Sequence, residues 1–296
     1  MKKSVMFHYF HDNKEYKKVQ GSLSAQDLKM FILNSGYNIL NPLDFLYKFE
    51  SKALMNHDVF LSFDDGLKEQ FLIAKPILDS FGIKALFNIY TTNSPNRGIN
   101  RIEIYRHFRN HYYESISDFY SDFFDTVKNL FNVSEFHDYK LIENYLSDFS
   151  FYSFNDRKFR YYRDEILKDD YDKVIEAMLN RKNFNQNDYQ KIWMNEEDIK
   201  SLHKEGHLIG LHSHSHQTNM DVYNYKQALN DYSRNKFILE SLIDSRISLA
   251  AYPLGKYNSD TIKALKHLGI EYAFTSRPEN HNDNFHIDRI DIAELL

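Results

Sequence analysis

Two acidic residues follow an apolar run of strand length near residue 60. The run is Val59-Phe60-Leu61-Ser62-Phe63, and Asp64-Asp65-Gly66 comes directly after it. Adjacent residues at a strand end point to opposite sides, so the two carboxylates cannot have the same role. One of them can bind a metal ion while the other faces a water molecule. Acidic residues are also common as N-caps where a strand leads into a helix, and this alternative stays open.

Three histidines alternate with serines in the segment His212-Ser213-His214-Ser215-His216. A buried strand would not contain them, because each imidazole would need a polar partner. His212 and His216 are four residues apart, and with an acid from elsewhere they would form a shell of two histidines and a carboxylate. Such a shell binds catalytic zinc with an open position for water, and it also suits other divalent metals. The alternative is a solvated histidine-rich loop that chelates metal adventitiously.

Two further clusters follow predicted strands. Tyr252-Pro253-Leu254-Gly255 ends one strand, and its backbone N–H groups could stabilise an oxyanion, although an ordinary strand-terminating turn explains it equally well. Arg101, Arg106 and His107 follow the strand-like run from Ala85 to Tyr90. Arginine suits bidentate contacts, so these residues could reach a nucleotide diphosphate or an acidic sugar, or they could form a solvated helix face.

Taken together and in this order, the first three clusters resemble the motifs of the NodB-type polysaccharide deacetylases, carbohydrate esterase family 4. Residues 62–66 look like the family's motif [ST]-F-D-D-G, and residues 212–216 are similar to H-[ST]-x-x-H. Residues 252–255 resemble the Y-P-x-G form of the third motif. The resemblance covers about residues 59–90 and 193–291, and it does not account for the stretch between them.

The resemblance implies a role for each matching residue. Asp64 would be the general base that activates water. One divalent cation would be held by Asp65, His212 and His216; zinc is expected, with cobalt, nickel or manganese as alternatives. Ser213 would support the metal loop through hydrogen bonds, and Tyr252 would offer its backbone N–H to the oxyanion.

The general acid has two candidates, because the family's usual L-x-H motif is absent from this sequence. His8 follows the strand-like Val5-Met6-Phe7 and resembles the strand-end histidine of the poly-N-acetylglucosamine deacetylase branch. His286 is nearer in sequence to the missing motif, and we favour His8. The third motif also lacks the family's frequent arginine. The residues expected around the substrate are Ser213, Pro253, Gly255, Arg101, Arg106 and His286.

Strand-like and helix-like segments alternate on both sides of residues 96–190, which predicts an α/β fold with a mainly parallel sheet. Helix starts are indicated by the capping patterns Ser24 with Asp27 and Asn195 with Asp198. The polar clusters follow strands, and parallel α/β folds place their chemistry at the carboxyl ends of strands. The resemblance implies more specifically a distorted (β/α) barrel.

Residues from about 96 to 190 lack strand and turn signals and are rich in Tyr, Phe, Asp, Asn and Lys. Phe119, Phe123, Phe124 and Val127 recur there at helical spacing. We therefore expect a single deacetylase domain, residues 1–296, interrupted by a mostly helical insertion that caps the active-site face. A helical decoration without a role in the chemistry is the alternative.

Composition narrows the classes of function. The chain has 37 Lys and Arg against 42 Asp and Glu, a net charge of −5 that excludes a broadly basic nucleic-acid binder. It has no Cys and 14 His, so a metal site must be built from histidines and carboxylates. No run of residues has the length of a secretory signal or a membrane span. We expect a cytoplasmic protein without membrane insertion, although a chain trimmed of its signal would look the same.

The resemblance to the deacetylases implies a metal-dependent hydrolase that removes an N-acetyl group from an acetamido sugar. A cytoplasmic location would favour a nucleotide-linked or lipid-linked precursor of a surface polysaccharide, such as O-antigen or capsule. The alternatives are a deformylase or other amide hydrolase on the same scaffold, and a non-catalytic carbohydrate-binding protein. The sequence leaves the oligomeric state open.

Overall fold

The computed structural model describes residues 4–94, 96–131, 139–147, 152–276 and 283–295. The chain divides into two compact units. Unit 1 is Met1–Asn100 together with Tyr189–Leu296, and unit 2 is Arg101–Asp188. Among the described residues, no helix is both long enough and apolar enough to cross a bilayer.

The strands all belong to unit 1. In chain order they are β1 (Val5–Phe7), β2 (Asn38–Ile39), β3 (Asp58–Val59), β4 (Leu61–Asp64), β5 (Leu86–Ile89), β6 (Asn93–Ser94), β7 (Gly98–Ile99), β8 (Leu208–Leu211), β9 (Leu249–Ala251), β10 (Tyr272–Thr275), β11 (Ile287–Asp288) and β12 (Ile290–Asp291). The main sheet has eight strands in the order β11-β10-β9-β8-β5-β4-β1-β12, and every pairing in it is parallel. Two short pairs, β2 with β3 and β6 with β7, lie outside it.

The two edge strands of this sheet, β11 and β12, are separated by Arg289 alone. The Arg289 N–H donates to Thr275 O over 2.9 Å, and the Ile290 N–H donates to Ser4 O over 2.8 Å. One extended segment therefore pairs with β10 on one side and with β1 on the other, so the sheet nearly closes on itself. The predicted parallel α/β fold and the (β/α) barrel are confirmed.

The helices of unit 1 pack around this sheet, and the others belong to the inserted segment. In chain order they are α1 (Ala25–Asn34), α2 (Pro42–Glu50), α3 (Lys75–Ser80), α4 (Arg101–His111), α5 (Ile116–Phe131), α6 (Tyr139–Asn144), α7 (Phe154–Tyr161), α8 (Tyr171–Arg181), α9 (Gln186–Ile192), α10 (Glu196–Lys204), α11 (Tyr225–Ile243) and α12 (Ser259–His267). Capping boxes at Ser24 and Asn195 begin α1 and α10, as the sequence predicts.

Aromatic side chains fill the core of unit 1. The Phe63 ring stacks on Phe7 at 5.1 Å and on Phe87 at 4.8 Å between centroids, which links the neighbouring strands β1, β4 and β5. Phe60, on the same apolar run as Phe63, belongs to a separate buried cluster. The run is therefore buried on both sides, as expected for a strand in a parallel sheet covered by helices.

Unit 2 has its own apolar core. Phe119, Phe123 and Val127 of α5 are buried at helical spacing, and Phe124 is partly buried beside them. The Phe123 ring lies 4.9 Å from Phe159 of α7 in an edge-to-face arrangement. The mostly helical character predicted for the insertion is confirmed, and its covering role over the active-site face stays a prediction.

Candidate metal centre and active site

Three side chains from distant parts of the chain place their ligand atoms together. Asp65, His212 and His216 each offer an atom within 4.8 Å of the others, and all three side chains are buried. His212 Nε2 and His216 Nε2 lie 3.5 and 3.1 Å from Asp65 Oδ1. The sequence predicts this same triad of two imidazoles and one carboxylate.

The backbone turns sharply at the end of β4, where the two aspartates lie. Asp65 has a φ of +77° and Gly66 a φ of +63°, so both residues are in the left-handed region. A Cβ at residue 66 would lie 3.0 Å from Ile89 Cγ2, so glycine is needed for space as well as for conformation.

The chemistry of the donor set fits a divalent cation. His212 Nδ1 lies 2.9 Å from Ala251 O, and a carbonyl can only accept, so Nδ1 carries the proton and Nε2 of the neutral ring presents a lone pair. Asp65 Oδ1 is buried without a hydrogen bond. A lone pair and a carboxylate oxygen that face each other in a buried site are stabilised by a shared cation. Asp65, His212 and His216 would hold that ion.

Ser213 supports the metal loop in the way the sequence predicts. Its side chain is fully buried, and its Oγ accepts the N–H of His216 over 2.9 Å. Both Ser213 and His216 have positive φ, at +64° and +48°. His214, the third histidine of the segment, is held instead through Nδ1 by Thr91 Oγ1 at 2.7 Å and is not part of the triad.

Asp64 lies next to the triad, and two hydrogen-bond donors hold its carboxylate. Arg289 Nη1 donates to Asp64 Oδ1 over 2.7 Å, and Asn88 Nδ2 donates to the same oxygen over 2.8 Å. The other oxygen, Oδ2, lies 3.9 Å from His212 Nε2. Oδ1 is therefore saturated, and Oδ2 is the oxygen that faces the metal ligands.

Charge keeps both carboxyl groups ionised despite their burial. Burial alone would raise the pKa of Asp64, but the Arg289 charge and the hydrogen bond from Arg289 outweigh burial, and the pKa is about 2. Burial opposes ionisation of Asp65 too, and the neighbouring His216 and His212 rings hold the pKa of that carboxyl well below its usual range. Asp64 is thus available as a proton acceptor.

His8 comes directly after β1, the strand that pairs with β4, and β4 ends at Asp64. His8 Nδ1 lies 3.7 Å from Asp291 Oδ2. Gln70 Nε2 donates to His8 O over 2.8 Å and to Asp64 O over 2.6 Å, which ties the ends of β1 and β4 together. The role of His8 as the general acid stays a prediction.

His286, the other candidate acid, is engaged elsewhere. Its Nδ1 lies 2.7 Å from Oδ1 of Asp283, an exposed residue three positions earlier, and its ring lies 5.5 Å from that of Tyr257. His286 lies in the loop directly before β11.

The predicted oxyanion donor is wrong. The Tyr252 N–H donates to Phe274 O over 3.0 Å as part of the pairing of β9 with β10, so it is not available to a substrate. The Tyr252 ring is buried and stacks on Tyr257 at 4.1 Å. Pro253 has no N–H, and Leu254 follows with a φ of +55°. Within the described parts of the chain, the Leu254 N–H has no acceptor.

The remaining candidates for substrate contact have varied surroundings. Pro253 and Gly255 are buried, whereas Leu254 between them is half exposed. Arg101 pairs with Asp172 and Glu176, and Arg106 pairs with Glu103. Both guanidinium groups therefore carry carboxylate partners already, which does not favour them as anion receptors.

Sequence reasoning missed Arg289 and Asn88. Asn88 lies inside a strand-like run and has no motif signal of its own. Arg289 lies far from Asp64 in the chain, and no local spacing connects the two residues.

Comparison with known proteins agrees with this geometry. Residues 170–273 match the family model described as polysaccharide deacetylase. These residues, about a third of the chain, contain the second and third motifs, and they are similar to that family. The match confirms the resemblance over those two motifs and the prediction of a hydrolase of the carbohydrate N-deacetylase class. No curated protein is similar enough in sequence to serve as a relative.

Solved structures of deacetylases share the fold of this chain over nearly its whole length. The deacetylase PplD of Streptococcus pyogenes, in complex with acetate, has a TM-score of 0.57 at 14% identity, covering 98% of this chain and 92% of that one. IcaB from Ammonifex degensii has a TM-score of 0.57 at 13% identity, with coverages of 97% and 90%. The BpsB deacetylase domain from Bordetella bronchiseptica has a TM-score of 0.54 at 12% identity, with coverages of 98% and 96%.

Proposed function

We propose that this protein is a metal-dependent hydrolase that removes an N-acetyl group from an acetamido sugar. The observation that carries the proposal is the position of Asp64 Oδ2, which lies 3.9 Å from the triad atom His212 Nε2. A site that only bound carbohydrate would have no use for an ionised carboxylate next to a metal triad. A divalent cation in the triad would polarise the amide carbonyl and acidify the attacking water.

The residues of the chain supply the remaining chemistry. Asp64 Oδ2 accepts the proton of the water, while Arg289 and Asn88 hold Oδ1 and prevent the carboxylate from rotating. The Leu254 N–H, at the carboxyl end of β9, donates to the developing oxyanion. His8, oriented by Asp291, gives a proton to the departing amine.

The proposal extends to the substrate. We expect the substrate class to be a nucleotide-linked or lipid-linked precursor of a surface polysaccharide. Zinc is the expected ion, since two imidazoles and one carboxylate form a frequent catalytic zinc shell.

Mass spectrometry of purified, zinc-loaded protein tests this proposal. Nucleotide-linked diacetamido sugars and lipid-linked glycans should each lose one acetyl group. The matched N-formyl sugars are assayed separately, because a deformylase is the alternative. Asp64→Asn should abolish turnover while one ion per chain is retained, and Asp44→Asn, an exposed change on α2, is the matched control. An active Asp64→Asn variant would refute the mechanism, and acetyl loss from long polymers alone would refute the substrate class.

A further inference from the structure

The helix α11 lies directly behind the loop that contains the two metal-binding histidines. Asp231 and Asn235 are one helical turn apart on α11, and both side chains are buried. Their side-chain oxygens accept hydrogen bonds from backbone N–H groups within residues 212–216. Residues four apart on a helix share one face, so a single face of α11 holds this loop.

Asp231 holds the middle of the loop. Its Oδ1 accepts the N–H of His214 over 2.6 Å, and its Oδ2 accepts the N–H of Ser215 over 3.2 Å. The Ser215 Oγ also donates to Oδ2. A charged acceptor makes stronger hydrogen bonds with backbone N–H groups than a neutral one does. The carboxylate therefore fixes the two residues that precede the ligand His216.

Asn235 holds the start of the loop. Its Oδ1 accepts the N–H of His212 over 3.1 Å. Its Nδ2 donates to Ile89 O over 3.0 Å and to Thr91 Oγ1 over 3.2 Å, at the end of the neighbouring strand β5. Thr91 Oγ1 in turn contacts His214 Nδ1. The amide thus connects the first histidine ligand to the strand beside it.

The loop needs such support because its backbone is strained. Ser213 and His216 both adopt positive φ without being glycine, and such conformations persist only where the surroundings over-determine them. If the Asp231 carboxylate were lost, the buried N–H of His214 and the partly buried N–H of Ser215 would lose their acceptor. The loop would then relax, and the separation of the His212 and His216 rings would no longer match one ion.

We propose that Asp231 and Asn235 are positioning residues that preform the metal site. They act through the backbone of the ligand loop, and neither belongs to the triad. This inference rests on the metal site of the proposed function and goes beyond it by assigning the affinity for the ion to a face of α11. Outer partners of metal ligands typically contribute about 10- to 100-fold in metal affinity.

Metal affinity of the full chain tests this inference without any substrate. Asp231→Ala, Asp231→Asn and Asn235→Ala are compared with the parent by zinc competition against a chelator and by the visible spectrum of the cobalt-loaded protein. Asn230→Ala, an exposed change next to Asp231, is the matched control. We expect zinc affinity to fall by about 10- to 100-fold in both alanine variants, with an altered cobalt spectrum. The fall should be smaller in Asp231→Asn, which retains one acceptor oxygen.

Thermal unfolding of the metal-free variants separates positioning from a general role in folding. We expect the metal-free Asp231→Asn and Asn235→Ala proteins to stay folded at the temperature of the titration. The inference would be overturned if Asp231→Ala and Asn235→Ala both kept the zinc affinity and the cobalt spectrum of the parent. It would also be overturned if unfolding of the metal-free Asp231→Asn protein accounted fully for its loss of zinc affinity. A parent protein that binds zinc without deacetylating any sugar would refute the proposed function alone.

Discussion

Arg289 donates from Nη1 to Oδ1 of Asp64 over 2.7 Å, and both side chains are almost completely buried. Arg289 is also the single residue between β11 and β12, the two edges of the sheet. The hydrogen bond from Arg289 to Asp64 therefore depends on the near-closure of the barrel. A buried pair of this kind offsets the cost of desolvating each charge only while both partners are present.

Arg289→Met should weaken activity by changing the protonation of Asp64. The pKa of Asp64 is about 2 with Arg289 in place, and burial raises it once the arginine charge is removed. The carboxylate would then become protonated at higher pH, so the acid limb of kcat/KM should move upward in pH. The measurement is the pH–rate profile, and Arg246→Met, at an exposed pair with Glu271, is the control. An acid limb that stays in place would contradict this prediction.

His8→Gln should remove the proton donor for the leaving amine. General acid catalysis contributes about 10²- to 10⁴-fold, so kcat should fall by that order. Asp291→Asn, which changes the partner of His8, should give a smaller fall in kcat. His286→Gln should keep a kcat close to that of the parent. A large fall in kcat in the His286 variant with a parent-like kcat in the His8 variant would reverse the assignment.

Gly210→Ala should disturb Asp64 through Asn88. A Cβ at residue 210 would lie 2.3 Å from Asn88 Oδ1, so the Asn88 side chain must move and its hydrogen bond to Asp64 must break. Crowding of this kind costs about 1–3 kcal/mol of the free energy of unfolding. We expect lower kcat together with a lower melting temperature.

A double-mutant cycle checks the route of that effect. In an Asn88→Ala background the side chain that the added methyl of Gly210→Ala would meet is gone. The further decrease in kcat caused by Gly210→Ala should therefore be small. An equal cost in both backgrounds would show that Asn88 does not transmit the effect.

His207 should make the stability of the protein sensitive to mild acid. Its side chain is buried, its Nδ1 accepts the Ala85 N–H over 3.2 Å, and burial together with the charge of Lys84 lowers its pKa below 6.5 despite the nearby Asp79. Below about pH 6.5 the unfolded chain gains a proton that the folded chain does not, so the free energy of unfolding falls as pH falls, by at most about 1.4 kcal/mol per unit.

Denaturant unfolding at several pH values measures this dependence. His207→Gln should flatten the slope between pH 6.5 and the lowered pKa of the folded state, and His203→Gln on α10 controls for the loss of an imidazole nearby. A parent slope that survives in His207→Gln would assign the sensitivity to another group.

The residues of the metal triad could be predicted from the sequence because each ligand type follows a strand end within a short motif. Asp65, His212 and His216 are recognisable by chemistry and local spacing, and parallel strands bring their carboxyl ends to one edge of the sheet. The capping boxes of α1 and α10 depend on residues three positions apart, so they were equally predictable. Local periodicity likewise predicted α5.

Other parts of the site depend on contacts that no local pattern contains. Arg289 and Asp64 are 225 positions apart, and only the pairing of the edge strands brings them together. Asp291 lies beside His8 only because β12 pairs with β1, and the error at Tyr252 arose because its N–H belongs to the ladder with β10. The sequence by itself determined which chemical groups are available, because residue types and short spacings are local. The tertiary structure decided which of them are partnered, because each backbone donor and buried charge is satisfied by whatever the folded sheet places next to it.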